Sequence, residues 1–245
     1  LKYLVFSDIH GNLEAFNTFL NSKIPKKADK LVFLGDLVGY GPNPNEVVDI
    51  FSGLKNVYGI RGNHDKVVAE LESAALFNPV ASESARWAQK IISPGNKEYL
   101  KNLPQGPLIL DNFITICHGS PFDEDYYIFS KFEAMEAIRF IKTSIAFFGH
   151  THFPVLYIYR NARLDIVEMR ENRRIKLDKN TKYLINPGSI GQPRDRCNKS
   201  SFILFDSDKM TVSFNRLKYD YQKTQQKIYD AKLPDILGER LETGV

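Results

Sequence analysis

Tyr3-Leu-Val-Phe6 runs directly into Ser7-Asp8-Ile9-His10-Gly11-Asn12, and this passage sets the reading of the whole chain. Consecutive apolar residues with no polar alternation read as a strand buried on both faces. The abrupt change to Asp, His and Gly marks its carboxyl end. The pattern recurs in Leu31-Val-Phe-Leu34 before Gly35-Asp36 and in Val57-Tyr-Gly-Ile60 before Arg61-Gly-Asn-His-Asp65. It returns in Phe113-Ile-Thr-Ile-Cys117 before His118-Gly119 and in Ile145-Ala-Phe-Phe148 before Gly149-His-Thr-His152. Helical patterns separate the first three runs, at Asn12–Leu20 and Pro44–Phe51, with Asn43 as the expected N-cap and Pro44 at the first helical position. Strand alternating with helix predicts right-handed βαβ units and a mainly parallel first sheet, whose ligands collect beyond the strands' carboxyl ends.

Residues 66–105 read as mostly helical (Val67–Leu76, Ala81–Ile91, Asn96–Leu103), broken at Asn78-Pro79 and Pro94-Gly95, and suggest a cap-like insertion over the site. After His152 the pattern changes to short strands at Val155–Tyr159, Leu164–Met169, Tyr183–Ile185, Phe202–Phe205 and Thr211–Phe214, which predict a second sheet stacked on the first. A helical stretch over Tyr219–Leu241, broken by Pro234, leads into an expected exposed tail, so 219–245 is read as a C-terminal helical tail. The expected architecture is a single α/β domain over 1–245, a four-layer α/β/β/α sandwich with two stacked mixed sheets.

The 245 residues, 43% apolar, suffice for one large core. No stretch reaches the roughly 18 apolar residues of a membrane span, and the run ending at Phe6 is too short for the apolar part of a signal peptide. The chain therefore reads as cytoplasmic. Two distant cysteines, Cys117 and Cys197, argue against a disulfide scaffold. A net charge of +4 without a dense Lys/Arg block argues against a nucleic-acid-binding face, and with it against a DNA nuclease, while remaining compatible with a small phosphate-bearing partner.

All five histidines fall in the short polar segments after predicted strands. Filler histidines would also appear in helices and beyond His152, so this concentration points to metal ligation. In an extended segment Asp8 and His10, two apart, point the same way and can grip one ion; His150 and His152 repeat the geometry. The donor set is nitrogen and oxygen without thiolate, which suits Mn, Fe, Zn, Co or Ni as divalent or trivalent ions.

The segments Asp8-Ile-His10, Gly35-Asp36, Gly62-Asn63-His64-Asp65, His118-Gly119 and Gly149-His150-Thr151-His152 resemble the calcineurin-like metallophosphoesterase superfamily. Asn186-Pro-Gly-Ser-Ile-Gly-Gln-Pro-Arg194 looks like its small bacterial and archaeal phosphodiesterase branch. The resemblance implies one ion held by Asp8, His10, Asp36 and His152, a second by Asp36, Asn63, His118 and His150, and hydrolysis of a phosphodiester, nucleotides included, by a metal-bridging hydroxide. Two divalent ions against two Asp leave such a site cationic, a trap for phosphate. Helix N-termini after Gly11 and near Gly62 are expected to add backbone N–H donors. His64 is implied to contact substrate and protonate the leaving group, with support of Asn63 as its alternative role; Asp65 is expected to orient it.

In protein Ser/Thr phosphatases and symmetric diadenosine tetraphosphatases the second motif reads G-D-x-V-D-R-G. Here it is Gly35-Asp-Leu-Val-Gly39-Tyr40-Gly41, without the motif's second Asp or its Arg, which counts against those substrates. Arg194 is a candidate substrate-phosphate contact or a solvated surface arginine. Tyr126, Tyr127 and Phe129 read as a hydrophobic cap over the cleft or as stacking partners for a base. Cys117 reads as a core residue. A diadenosine polyphosphate hydrolase, a phosphomonoesterase and a non-catalytic binding module on the same fold are the rival readings; all seven implied ligands being present argues against the last.

Overall fold

Each apolar run forms a strand, and the computed structural model, which describes residues 1–169 and 172–245, arranges the strands in two sheets. The chain builds β1 (Lys2–Phe6), α1 (Leu13–Asn21), β2 (Lys30–Phe33), α2 (Pro44–Ser52), β3 (Val57–Gly59), α3 (Asn63–Val68), α4 (Pro79–Ile91) and α5 (Pro94–Lys101). There follow β4 (Leu108–Leu110), β5 (Ile114–Ile116), α6 (Lys131–Phe140), β6 (Ile145–Phe147), β7 (Val155–Arg160) and β8 (Arg163–Glu168). The rest is β9 (Arg173–Lys176), β10 (Lys182–Asn186), β11 (Ser200–Asp206), β12 (Thr211–Leu217), α7 (Tyr221–Asp230) and α8 (Asp235–Thr243).

The first sheet has the order β3-β2-β1-β11-β12-β9, parallel through β3-β2-β1 and antiparallel beyond. The second, β4-β5-β6-β10-β7-β8, is parallel only across β5-β6-β10. Side chains alternate across each strand. Tyr3 and Val5 of β1 thus face the inner core with Ile116, Phe147 and Ile185 of the second sheet, while Leu4 and Phe6 pack outward against Phe16, Phe19 and Phe51 of α1 and α2. On the far side Ala146 and Leu184 pack with Ala134, Ala137 and Ile138 of α6. The outcome is the α/β/β/α sandwich with two stacked mixed sheets.

The sequence reading did not contain α6, β4 or β9. Ser130 and Glu133 form a capping box at the start of α6, a signal legible in the sequence as S-x-x-E. The edge strand β9 is a run of basic residues around Ile175, with no apolar period to reveal it. Residues 66–105 do not stand over the site as a block: Val67, Ala85, Ala88 and Leu100 share the outer core with Phe51, and Phe77 alone of that segment stacks on a site residue, His64, at 4.7 Å. The C-terminal stretch is helical and packs onto the body of the protein, with only Glu242, Thr243 and Val245 exposed beyond Leu241. Ile228, Leu233, Leu237 and Leu241 bury against Tyr40 and Ala81, and the Arg196 N–H donates to the Gly244 carbonyl at 2.7 Å. No helix among the described residues is long and apolar enough to cross a membrane.

Candidate metal centre

The strands end in tight left-handed turns, and these turns aim the site. Asp8, His10, Asp36, His150 and His152 have φ of 55°, 50°, 64°, 66° and 63°, a region that non-glycine residues enter at a cost. The 8–10 segment is therefore not extended as expected; the turns themselves bring His10 Nε2 to 3.9 Å from Asp8 Oδ1. Backbone hydrogen bonds lock the conformation, the Asp8 N–H to Gly35 O at 3.0 Å and the His10 N–H to Asp36 O at 3.0 Å. Gly62 must lack a side chain, because a Cβ there would lie 2.1 Å from Asp36 Oδ1.

Asp8, His10, Asp36, Asn63, His118, His150 and His152 all converge and are buried, Asn63 the most exposed of them at 6%. Ligand atoms of Asp8, His10 and His152 lie within 4.8 Å of one another, as do those of Asp36, His118 and His150; His64 joins His10 and Asp36 in a third such group. Asp36 stands between the first two, its Oδ2 3.6 Å from His10 Nε2 and 3.4 Å from His118 Nε2.

The imidazoles are oriented by main-chain carbonyls. His10 Nδ1, His118 Nδ1 and His152 Nδ1 donate to the carbonyls of Val38, Leu34 and Gln192, and His150 Nε2 donates to that of Asp125 at 3.1 Å. A carbonyl only accepts, so each of these ring nitrogens carries the hydrogen and the other turns inward. His10 Nε2 and His152 Nε2 then face each other at 3.1 Å, and His118 Nε2 and His150 Nδ1 at 3.2 Å. Converging lone pairs at this spacing repel unless a cation or proton lies between them. Asp8 Oδ2 is buried with no hydrogen-bond partner. These features fit a pair of metal ions.

The electrostatics of the buried groups express the same demand for positive charge. Burial pushes the Asp8 carboxyl up to about 7. Burial opposes a charged His118, yet the Asp36 carboxylate overrides it and raises the ring to about 10. Burial drives His10, His150 and His152 well below the usual histidine range, leaving them neutral as ligands must be.

Asp65 does not orient His64. Its carboxylate accepts the N–H groups of Asp36, Leu37, Val38 and Gly62, between 2.8 and 3.2 Å, and so clamps the Asp36 loop to the start of α3. His64 Nδ1 is buried without a hydrogen-bond partner, and burial lowers the ring to about 4. Nδ1 faces the bare backbone of Gly39, where a Cβ would lie only 2.3 Å away, so the ring packs where no side chain could stand. Three of the backbone donors near Gly11 and Gly62 are already engaged within the protein. The Gly11 N–H goes to Leu37 O, that of Gly62 to Asp65, and that of His64 to Asp36 Oδ1.

Arg194 is half-buried over the centre, its guanidinium 5.6 Å from the Tyr40 ring and bonded to Gln192 Oε1 at 2.8 Å. Its charge acts on Asp8, His10, His64, His150 and His152. Tyr127 stacks on His150 at 3.8 Å and on Phe129 at 5.3 Å, while Tyr126 turns away to Glu136. Cys117 is buried in the core. The sequence reading missed Tyr40, which packs on His10 at 4.7 Å and on His64 at 4.4 Å. Its signal was the departure Gly39-Tyr40-Gly41 itself. It also missed Gln192 and Asp125, whose contribution is a carbonyl and so leaves no trace in residue type.

Residues 1–154 match the family model described as calcineurin-like phosphoesterase. An uncharacterized protein of Methanocaldococcus jannaschii is 37% identical over 244 residues, covering 98% of this chain and 97% of its own. The phosphodiesterase YfcE of Escherichia coli is 26% identical over 221 residues, covering 86% of this chain and 91% of its own. Among solved structures, a metallophosphoesterase from Sphaerobacter thermophilus superposes with a TM-score of 0.86 at 32% identity, covering 100% of this chain and 99% of that one.

Proposed function

Because this chain belongs to the calcineurin-like phosphoesterase family, whose members are hydrolases of phosphoric esters, we propose that it is a dinuclear-metal phosphodiesterase. In this reading Asp8, His10, Asp36 and His152 hold one ion, and Asp36, Asn63, His118 and His150 hold the other. The observation that carries the proposal is Asp36 Oδ2 standing 3.6 and 3.4 Å from imidazole nitrogens of the two groups, a bridging position. When bound, the two cations supply water that is nucleophilic near neutral pH and charge to neutralise the phosphoryl oxygens. A diester is favoured by the likeness to a relative named a phosphodiesterase.

The chain's own side chains do the rest. Arg194 adds a fixed positive charge over the centre. His64, held neutral by burial, contributes an N–H hydrogen bond to a phosphoryl oxygen rather than a proton from an imidazolium. Tyr127 covers His150 and limits water on that side.

The test is hydrolysis of an aryl phosphodiester after EDTA treatment and reloading with Mn, Zn, Fe, Co or Ni, with metal content measured alongside. Two ions per chain and restored turnover are expected; no turnover with any metal sinks the proposal. Replacing His64 by Ala lowers turnover by about 10²–10³-fold at unchanged metal content. The loss should be equal for good and poor leaving groups, whereas a loss confined to poor ones assigns His64 to leaving-group protonation.

Proton release gives an independent check. Below about 7 the Asp8 carboxyl holds a proton, and below about 10 His118 holds one. Cation uptake must displace both, so affinity falls as pH falls. In weakly buffered solution near pH 7 about one to two protons are released per chain on loading; uptake without release contradicts ligation by Asp8 and His118.

A further inference from the structure

We propose that Arg194 and Arg240 form a second anion subsite beside the metal centre, for a substrate whose scissile phosphate carries another phosphate next to it, a pyrophosphate-type ester. The inference rests on the dinuclear reading and deepens it. Tyr40 is the hinge of the geometry. Its ring packs on His10, Arg194 lies 5.6 Å above it, and Leu237 and Leu241 of α8 bury against it. Arg240, adjacent to Leu241, stands at the margin of that helix face. The chain just beyond it curls onto the loop holding Arg194: the Gly244 N–H donates to the Arg240 carbonyl, and the Gly244 carbonyl accepts the Arg196 N–H.

Arg240 is half-buried, and its Nε is enclosed with no hydrogen-bond partner. Among the described residues no carboxylate pairs with Arg194 or Arg240, whereas the buried Arg216 has Asp195. Burial and then the charge of Arg194 lower the Arg240 guanidinium. Two neighbouring cations without a counter-ion are unfavourable, and a bound anion offsets this. Tyr40 links the two positions. Arg194 lies over its ring, which packs on His10, and Arg240 is carried by α8 between Leu237 and Leu241, which bury against the same residue. One phosphate at the centre and a second directly attached would engage both forks, each suited to bidentate phosphoryl contact.

The test is calorimetric titration of the metal-reconstituted protein with inorganic pyrophosphate and, separately, orthophosphate, with metal content measured after each run because pyrophosphate extracts cations. The parent should prefer pyrophosphate. Arg240→Gln should reduce that preference about tenfold, and Arg240→Lys by less. In phosphate-free buffer Arg240→Gln should melt no lower than the parent, because the repulsion with Arg194 is removed. An unchanged preference, or a variant that melts well below the parent, overturns the subsite, the latter by showing that the fold already satisfies Arg240. The two readings fail separately. A protein that retains no cation and hydrolyses no ester, yet shows an Arg240-dependent pyrophosphate preference, loses only the metal reading; an active one with unaltered preference in the variant loses only the subsite.

Discussion

Asp36→Asn is expected to lower aryl phosphodiester turnover on the order of 10³-fold or more and to leave the protein unable to retain two cations. The substitution keeps the shape of the side chain. Oδ1 can still accept the His64 N–H, now at 2.9 Å, so the fold of the loop should persist. What disappears is the negative charge that Oδ2 presents to both imidazole groups at 3.6 and 3.4 Å. Two ions a few ångströms apart repel each other, and a shared carboxylate is the group that offsets this. The His118 ring, raised by Asp36 to about 10, should also titrate lower in the variant. Metal analysis after gel filtration, steady-state turnover and an NMR titration of the ring would together check the result. Full metal content with near-parent turnover would remove Asp36 from the bridging position.

Gly39→Ala should produce the second large loss, about 10²-fold in turnover with the metal content retained. Gly39 has φ of +89° and borders His64, so that a methyl group on its Cα would lie 2.3 Å from Nδ1 and 2.7 Å from Cγ. The added carbon strains the backbone, at about 1–3 kcal/mol, and pushes the imidazole away from its place. A displacement of about an ångström is enough for losses of this size. His64 is outside the proposed ligand sets, so the ions should stay. Calorimetric melting, metal analysis and turnover of the same preparation separate the effects. Loss of metal instead would mean that His64 or its loop supports ligation directly.

Much of the fold was legible because its strands are short, wholly apolar and end in residues that have no business in a core. The runs ending at Phe6, Leu34, Ile60, Cys117 and Phe148 revealed both the strand positions and the end of the sheets at which the histidines gather. Residue type could not fix the left-handed turns at Asp8, His10 and Asp36, since Asp and His enter that region more often than other side chains but still do so in only a small fraction of cases. It was equally silent on the carbonyls of Leu34, Val38, Asp125 and Gln192 that set the imidazole orientations, because every residue has a carbonyl. Asp65 was misread for a related reason. An acidic residue beside His64 suggests a side-chain pair, but α3 begins at Asn63 and turns the carboxylate back onto the backbone. The place of α8 against Tyr40 is a long-range packing outcome, with no local pattern to announce it.

Asp8, His10, Asp36 and Asn63 belong to the ends of one sheet and to α3, while His118, His150 and His152 belong to the ends of the other. Any cation shared between them would therefore act as a rivet through two plates whose facing surfaces are largely greasy, reinforcing the few polar ties at this rim such as that of His118 to the Leu34 carbonyl. Stripping it should let the plates slide at that rim first, so hydrogen exchange ought to quicken near Asp36 and His150 long before the opposite rim responds.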